Sequence, residues 1–181
     1  MKKVSYLVIT LFAVLLLGAC NNSQSLQQYI VENKENNDFI AVDLPVSLLN
    51  IEETNLNEEE KEAYKSIRKV NVLAYKMKGE NDPEYALEKK RVLDILKDDK
   101  YQQLMKFNSR DMKVTVKYIG TDTFIDEVIL FGTNKDFGFG LVRLLGDDMK
   151  PENVVKLMDA LKKSDFDSTA LGGLEGLLKD I

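Results

Sequence analysis

The sequence predicts an α+β domain: one mostly antiparallel sheet of about five strands, with helices packed largely on one face. Three observations carry this expectation. Residues 113–119 alternate apolar and polar side chains, the period of a half-buried strand. The apolar runs that follow, 124–132 and 137–145, are joined by connections too short for a crossover, so the three strands are expected to pair antiparallel as sequential neighbours. Ahead of them, capped helical segments alternate with shorter apolar runs.

The elements follow in order. Leu26 to Glu32 reads as a short helix, and Asn33 to Asp38 as a polar turn. Phe39-Ile40-Ala41-Val42 is a first strand, ended by Asp43-Leu44-Pro45, since proline suits a strand end. Ser47 to Ile51 adds one helical turn. Asn57 begins a helix as cap, with Glu60 placed to complete a capping box, and Ala63, Tyr64 and Ile67 share its inner face. Val70 to Met77 is apolar at both parities and reads as a central strand. Asp82 caps the next helix, Pro83 takes its first turn, and Tyr85, Val92, Ile95 and Leu96 form its buried stripe. Tyr101 to Phe107 reads as a further helical turn. After the three-strand meander, Gly146-Asp147-Asp148 closes the last strand and Pro151 opens a helix with Val154, Leu157, Met158 and Leu161 inward. Residues 166–181 form a tail whose leucines fall at helical spacing but whose three glycines oppose a helix by roughly 1 kcal/mol each.

The N-terminus carries an address. Lys2 and Lys3 precede an apolar run, Val4 to Leu17, and Leu17-Gly18-Ala19-Cys20 follows. A basic start, a short apolar stretch and small residues before a cut describe a secretory signal. The run is shorter than the ~20 residues that cross a bilayer core. Cys20 is the only cysteine. As the acceptor of a diacylglyceryl group it makes residues 1–19 a lipoprotein signal cut between Ala19 and Cys20, and residues 20–25 a tether. Two or three acyl chains anchor stably where one binds reversibly. The folded domain then spans 26–165.

Composition removes several functions. Loss of residues 1–19 takes two lysines and no acids, so the formal net charge moves from -5 to -7. An acidic domain repels nucleic acid and anionic headgroups, so neither is an expected partner of the folded part. No histidine is present, which excludes histidine-based triads, histidine general bases and ordinary histidine zinc sites. No cofactor is expected.

Three local patterns invite a functional reading. Phe137-Gly138-Phe139-Gly140 places glycines on one sheet face and aromatics on the other; it lacks the strand-to-helix setting of a phosphate loop, and its functional version is a binding groove. Asp147, Asp148, Glu152 and Asn153 cluster at a helix start without a calcium-loop pattern. Asp126 and Glu127 are strand neighbours, so they point to opposite faces and cannot form one catalytic pair.

Tyr101-Gln102-Gln103-Leu104-Met105, then Ile125-Asp126-Glu127-Val128-Ile129-Leu130, then Leu141-Val142-Arg143-Leu144-Leu145-Gly146-Asp147 with a helix at once after, resembles the family called domain of unknown function 4252, small lipoproteins of Bacteroidota. The resemblance covers roughly residues 25–165. It implies a cell-envelope lipoprotein of α+β build in a regulatory or stress context, with no established activity and so no catalytic residues to carry over. No acidic run follows Cys20, which favours a periplasm-facing position and leaves inner and outer membrane open. The functional expectation is a non-catalytic module binding an envelope protein or a small apolar ligand; the alternative is a carboxylate-dependent hydrolase.

Overall fold

The computed structural model describes residues 24–45, 56–79, 82–109, 112–134 and 138–163. Ala19, Cys20, the turn expected at 47–51, Phe137 and the C-terminal tail lie outside the described residues. The order is α1 (Leu26–Asn33), β1 (Phe39–Pro45), α2 (Glu58–Ser66), β2 (Ile67–Lys76), α3 (Pro83–Ile95), β3 (Gln102–Ser109), β4 (Met112–Gly120), β5 (Ile125–Asn134), β6 (Gly138–Met149) and α4 (Pro151–Lys163). The six strands form one sheet, ordered β1-β2-β6-β5-β4-β3, with every described pairing antiparallel. The predicted class therefore holds, with one strand more than expected. β4, β5 and β6 are sequential neighbours, as their short connections require.

The additional strand is β3. Gln102, Gln103, Leu104 and Met105 are good helix formers, and the sequence reading placed a helical turn there. Pairing with β4 along its length, interrupted by a bulge between Gln103 and Met105, overrides that local preference.

Helix starts follow the caps. Ser25 caps α1 in a capping box with Gln28, and Asn57 caps α2 in one with Glu60. Asp82 caps α3, accepting from the Tyr85 amide at 3.1 Å. Its other carboxylate oxygen accepts from the Lys78 amide and the Tyr75 hydroxyl, both at 2.9 Å, tying the helix start to β2. α2 ends at Ser66, and Ile67, expected on its inner face, instead opens β2. Pro45 ends β1, an edge strand, the setting in which a sheet tolerates proline.

The helices were expected largely on one face; they divide two and two. Alternating residues of each strand point to opposite sides, so the sheet carries two cores. On one side α1 and α3 cover Phe39, Leu73, Tyr75, Ile129, Phe131, Phe139 and Leu141. On the other α2 and α4 cover Val70, Val72, Val114, Val116, Ile125 and Val128. The aromatic face is organised around Phe139, whose ring stacks on Tyr75 at 5.5 Å and meets Phe131 at 5.6 Å and Phe39 at 6.1 Å. Such pairs contribute about 0.5–1.5 kcal/mol each beyond burial.

Candidate functional site

α3 buries Val92, Ile95 and Leu96 on the aromatic face. That leaves a second stripe, including Ala86, Lys89, Lys90, Leu93 and Lys97, turned toward the outer strands. Opposite it stand Lys106 of β3, Thr115 and Lys117 of β4, and Phe131 of β5. Lys106 pairs with Thr115 in register and Thr115 with Phe131, so all three rise from the same sheet face. Between helix and strands lies an open groove of about 510 Å³. Leu93 stays 41 % exposed on its wall.

Five lysines border this groove against one carboxylate, Asp94. Lys90 and Lys97 both pair with Asp94, Lys97 at 2.7 Å, and Lys90 then Lys97 hold that carboxyl down at about 2. The Lys89 ammonium sits 5.3 Å from the centre of the Tyr85 ring. Lys117 donates to the Leu96 carbonyl at 2.6 Å and the Tyr101 carbonyl at 2.8 Å, closing the C-terminal end of α3. Burial, then the charge of Lys106, lowers the Lys117 pKa. Among the described residues no carboxylate pairs with Lys106 or Lys117.

A second polar feature crosses the same sheet face beneath α1. Asp43, Asn71 and Arg143 stand in register on β1, β2 and β6, and Glu127 joins them from β5. Asn71 donates to Asp43, and Arg143 Nη2 donates to Glu127 Oε2 at 2.6 Å. Glu127 Oε1 and Arg143 Nε are buried with no hydrogen-bond partner among the described residues. A pocket of about 140 Å³ adjoins this row, lined by Lys34, Lys69, Asn71 and Arg143 together with Gln27, Ile30, Val31 and Leu145. Lys34 and Lys69 are both committed to Asp43, at 2.6 and 3.3 Å. The row reads as a structural network of mutually neutralising charges.

The groove expected at 137–140 resolves into its two parities. Phe139 is buried in the aromatic cluster. Gly138 has φ +118°, and a Cβ there would sit 2.1 Å from the Tyr75 carbonyl oxygen, so this glycine serves the backbone. Gly140 faces the other side, directly across from Gly132, with open space where its Cβ would be. Asp126 is exposed while Glu127 is buried, so the two point to opposite faces. β6 runs on through the expected turn at 146–148 to Met149, accommodated by a register shift and by Asp148 at φ 49°. Asp147 pairs with Arg68 at 2.8 Å, Asn153 donates to Glu62 at 2.9 Å, and Asp148 and Glu152 are exposed. Among the described residues no three Cys, Asp or Glu side chains converge as metal ligands.

The lysine groove was not anticipated, although the sequence held a signal for it. Residues 89–117 carry nine Lys or Arg against four Asp, a local excess of cations in a chain of net charge -5. Only the folding of α3 back over β3 and β4 makes that excess one surface.

The protein is thus a two-sided antiparallel α+β domain with a cation-rimmed, partly apolar groove beside one helix. The chain belongs to the family described as Domain of unknown function (DUF4252), which it matches over residues 29–157. No curated protein and no solved structure matches it.

Proposed function

We propose that this chain is a non-catalytic binding module of the cell envelope, anchored by lipid on Cys20, facing the periplasm and acting in envelope maintenance or stress response. The observation that carries the binding role is the groove beside α3, where the exposed Leu93 stands near Lys106, which has no described partner, and Lys117, which keeps one donor free of its two carbonyls. Binding sites are concave and mostly apolar, with a few placed polar groups. The anchoring rests on the pattern Leu17-Gly18-Ala19-Cys20 after a short apolar run. Among the described residues no helix is long and apolar enough to cross a membrane.

The test is rescue of a deletion strain under envelope stress. Asp126→Asn, Asp147→Asn and Asp148→Asn are expected to rescue, whereas Leu93→Asp, folded and correctly located, is expected to fail. Cys20→Ser is expected to abolish lipid labelling and leave an unprocessed or misplaced precursor. Loss of rescue in one amide variant with intact stability would favour the hydrolase reading and sink this one. Equal membrane retention of Cys20→Ser would remove the anchor.

A further inference from the structure

We propose that the groove beside α3 binds a single-chain anionic amphiphile, an acyl chain ending in a carboxylate. The inference rests on the binding role above and names its ligand class. The space available, about 510 Å³, falls within the range of small-molecule sites, roughly 300–1,000 Å³. The size suits a small ligand.

The two ends of such a ligand have separate seats. Leu93 and Leu96 from the helix side and Phe131 from β5 line the groove with apolar groups; Leu96 and Phe131 are nearly covered, and Leu93 is exposed without a described covering partner. Two of the five lysines, Lys106 and Lys117, lie on the strand side. Lys106 faces Thr115 directly, and Lys117 is two residues along β4 on the same face, so the two lysines are diagonal neighbours in register. An ammonium has three donors. Lys117 spends two on backbone carbonyls and retains one. Lys106 has no described partner at all. A ligand carboxylate between them would accept from both and relieve their repulsion, which is already strong enough to help depress the Lys117 pKa. A cationic or neutral amphiphile gains nothing from this arrangement. Nucleic acid fits poorly, because the rest of the molecule is acidic.

The experiment uses the mature chain, residues 20–181 with Cys20→Ser, titrated with dodecanoate below its aggregation concentration and followed by calorimetry and amide chemical shifts. The expected result is saturable binding of one dodecanoate per chain, with shifts centred on α3, Lys106, Thr115, Lys117 and Phe131. Dodecyltrimethylammonium and acetate are expected to bind at least tenfold more weakly. Lys106→Glu is expected to weaken dodecanoate at least tenfold with an unchanged melting temperature; should it fail to fold, Lys106→Met serves in its place with a smaller loss. Added salt is expected to weaken binding. Unchanged affinity in the Lys106 variant, equal binding of the cationic analogue, or shifts elsewhere on the molecule would overturn the proposal. Co-flotation with phosphatidylglycerol vesicles without dodecanoate binding would overturn it in favour of a membrane surface. Absence of dodecanoate binding while Leu93→Asp still fails to rescue would overturn the ligand class and leave the binding role standing.

Discussion

Replacing Arg143 with methionine probes the polar row under α1. In the native fold the Arg143 side chain is 13 % exposed and that of Glu127 8 %, with 2.6 Å between them. Removing the guanidinium leaves a carboxylate sealed against the sheet. Breaking a buried pair by deleting one partner costs about 3–5 kcal/mol. Glu127 Oε1 already lacks a described partner, so no second bond cushions the loss. The companion variant replaces both residues, Glu127→Leu with Arg143→Met. It removes both charges and both orphaned atoms, Glu127 Oε1 and Arg143 Nε, and is expected to be between neutral and about 4 kcal/mol more stable than the wild type. Urea unfolding at pH 7 of the wild type, the two single variants and the double closes the cycle, provided m-values agree. For a domain of this size the single loss corresponds to a melting temperature lower by roughly 6–20 °C. Arg143→Met within about 1 kcal/mol of wild type, or a double variant no better than the worse single one, would refute the reasoning.

Two further outcomes follow from local geometry. Gly138→Ala meets both a positive φ and a carbonyl oxygen 2.1 Å from its Cβ, so it is expected to cost about 2 kcal/mol or more, while Gly140→Ala enters open space and is expected to stay within about 1 kcal/mol; equal melting temperatures for the two would contradict this. Lys34, with help from Asn71 and Lys69, holds the Asp43 carboxyl at about 2, below the ordinary value near 3.9. A depressed carboxyl contributes stability that is present above about pH 4 and is lost as pH falls through about 2. Because the Asp43 side chain is 34 % exposed, the contribution is about 1 kcal/mol after screening. Asp43→Asn is therefore expected to be less stable than wild type at pH 7 and to lose most of that gap by pH 2, and a gap that persists undiminished at pH 2 would show another cause.

The legible parts of this fold were those where one residue type has one physical use. Asn57 with Glu60, and Asp82 with Pro83, marked helix starts that the structure reproduces. The clean alternation at 113–119 marked β4, and short connections dictated the β4-β5-β6 meander. β3 was hidden because its glutamines, leucine and methionine favour helix in isolation and become a strand only against β4. The two-sided packing had a visible trace. β2 and β5 are apolar at both parities, which a sheet covered on one face alone does not need. The cation excess over 89–117 was legible, but not the groove, because its charges come from a helix and two strands whose juxtaposition is tertiary. The alternation within 137–140 was readable, but not that Gly140 would stand across from Gly132.

The position of β6 between β2 and β5 governs how the chain can assemble. β4, β5 and β6 close through short turns, a local and rapid event. β2 meets β6 only across long stretches of chain, from Lys76 with Gly138, 62 residues apart, to Ile67 with Gly146, 79 residues apart. Loop-closure entropy must be spent on that pairing before its contacts repay it. Pairing along this seam is therefore expected to be slower than closure of the β4-β5-β6 meander. Until β6 has emerged, the antiparallel pair of β1 and β2 lacks the strand that covers β2, and the first half of the molecule is held waiting for the second.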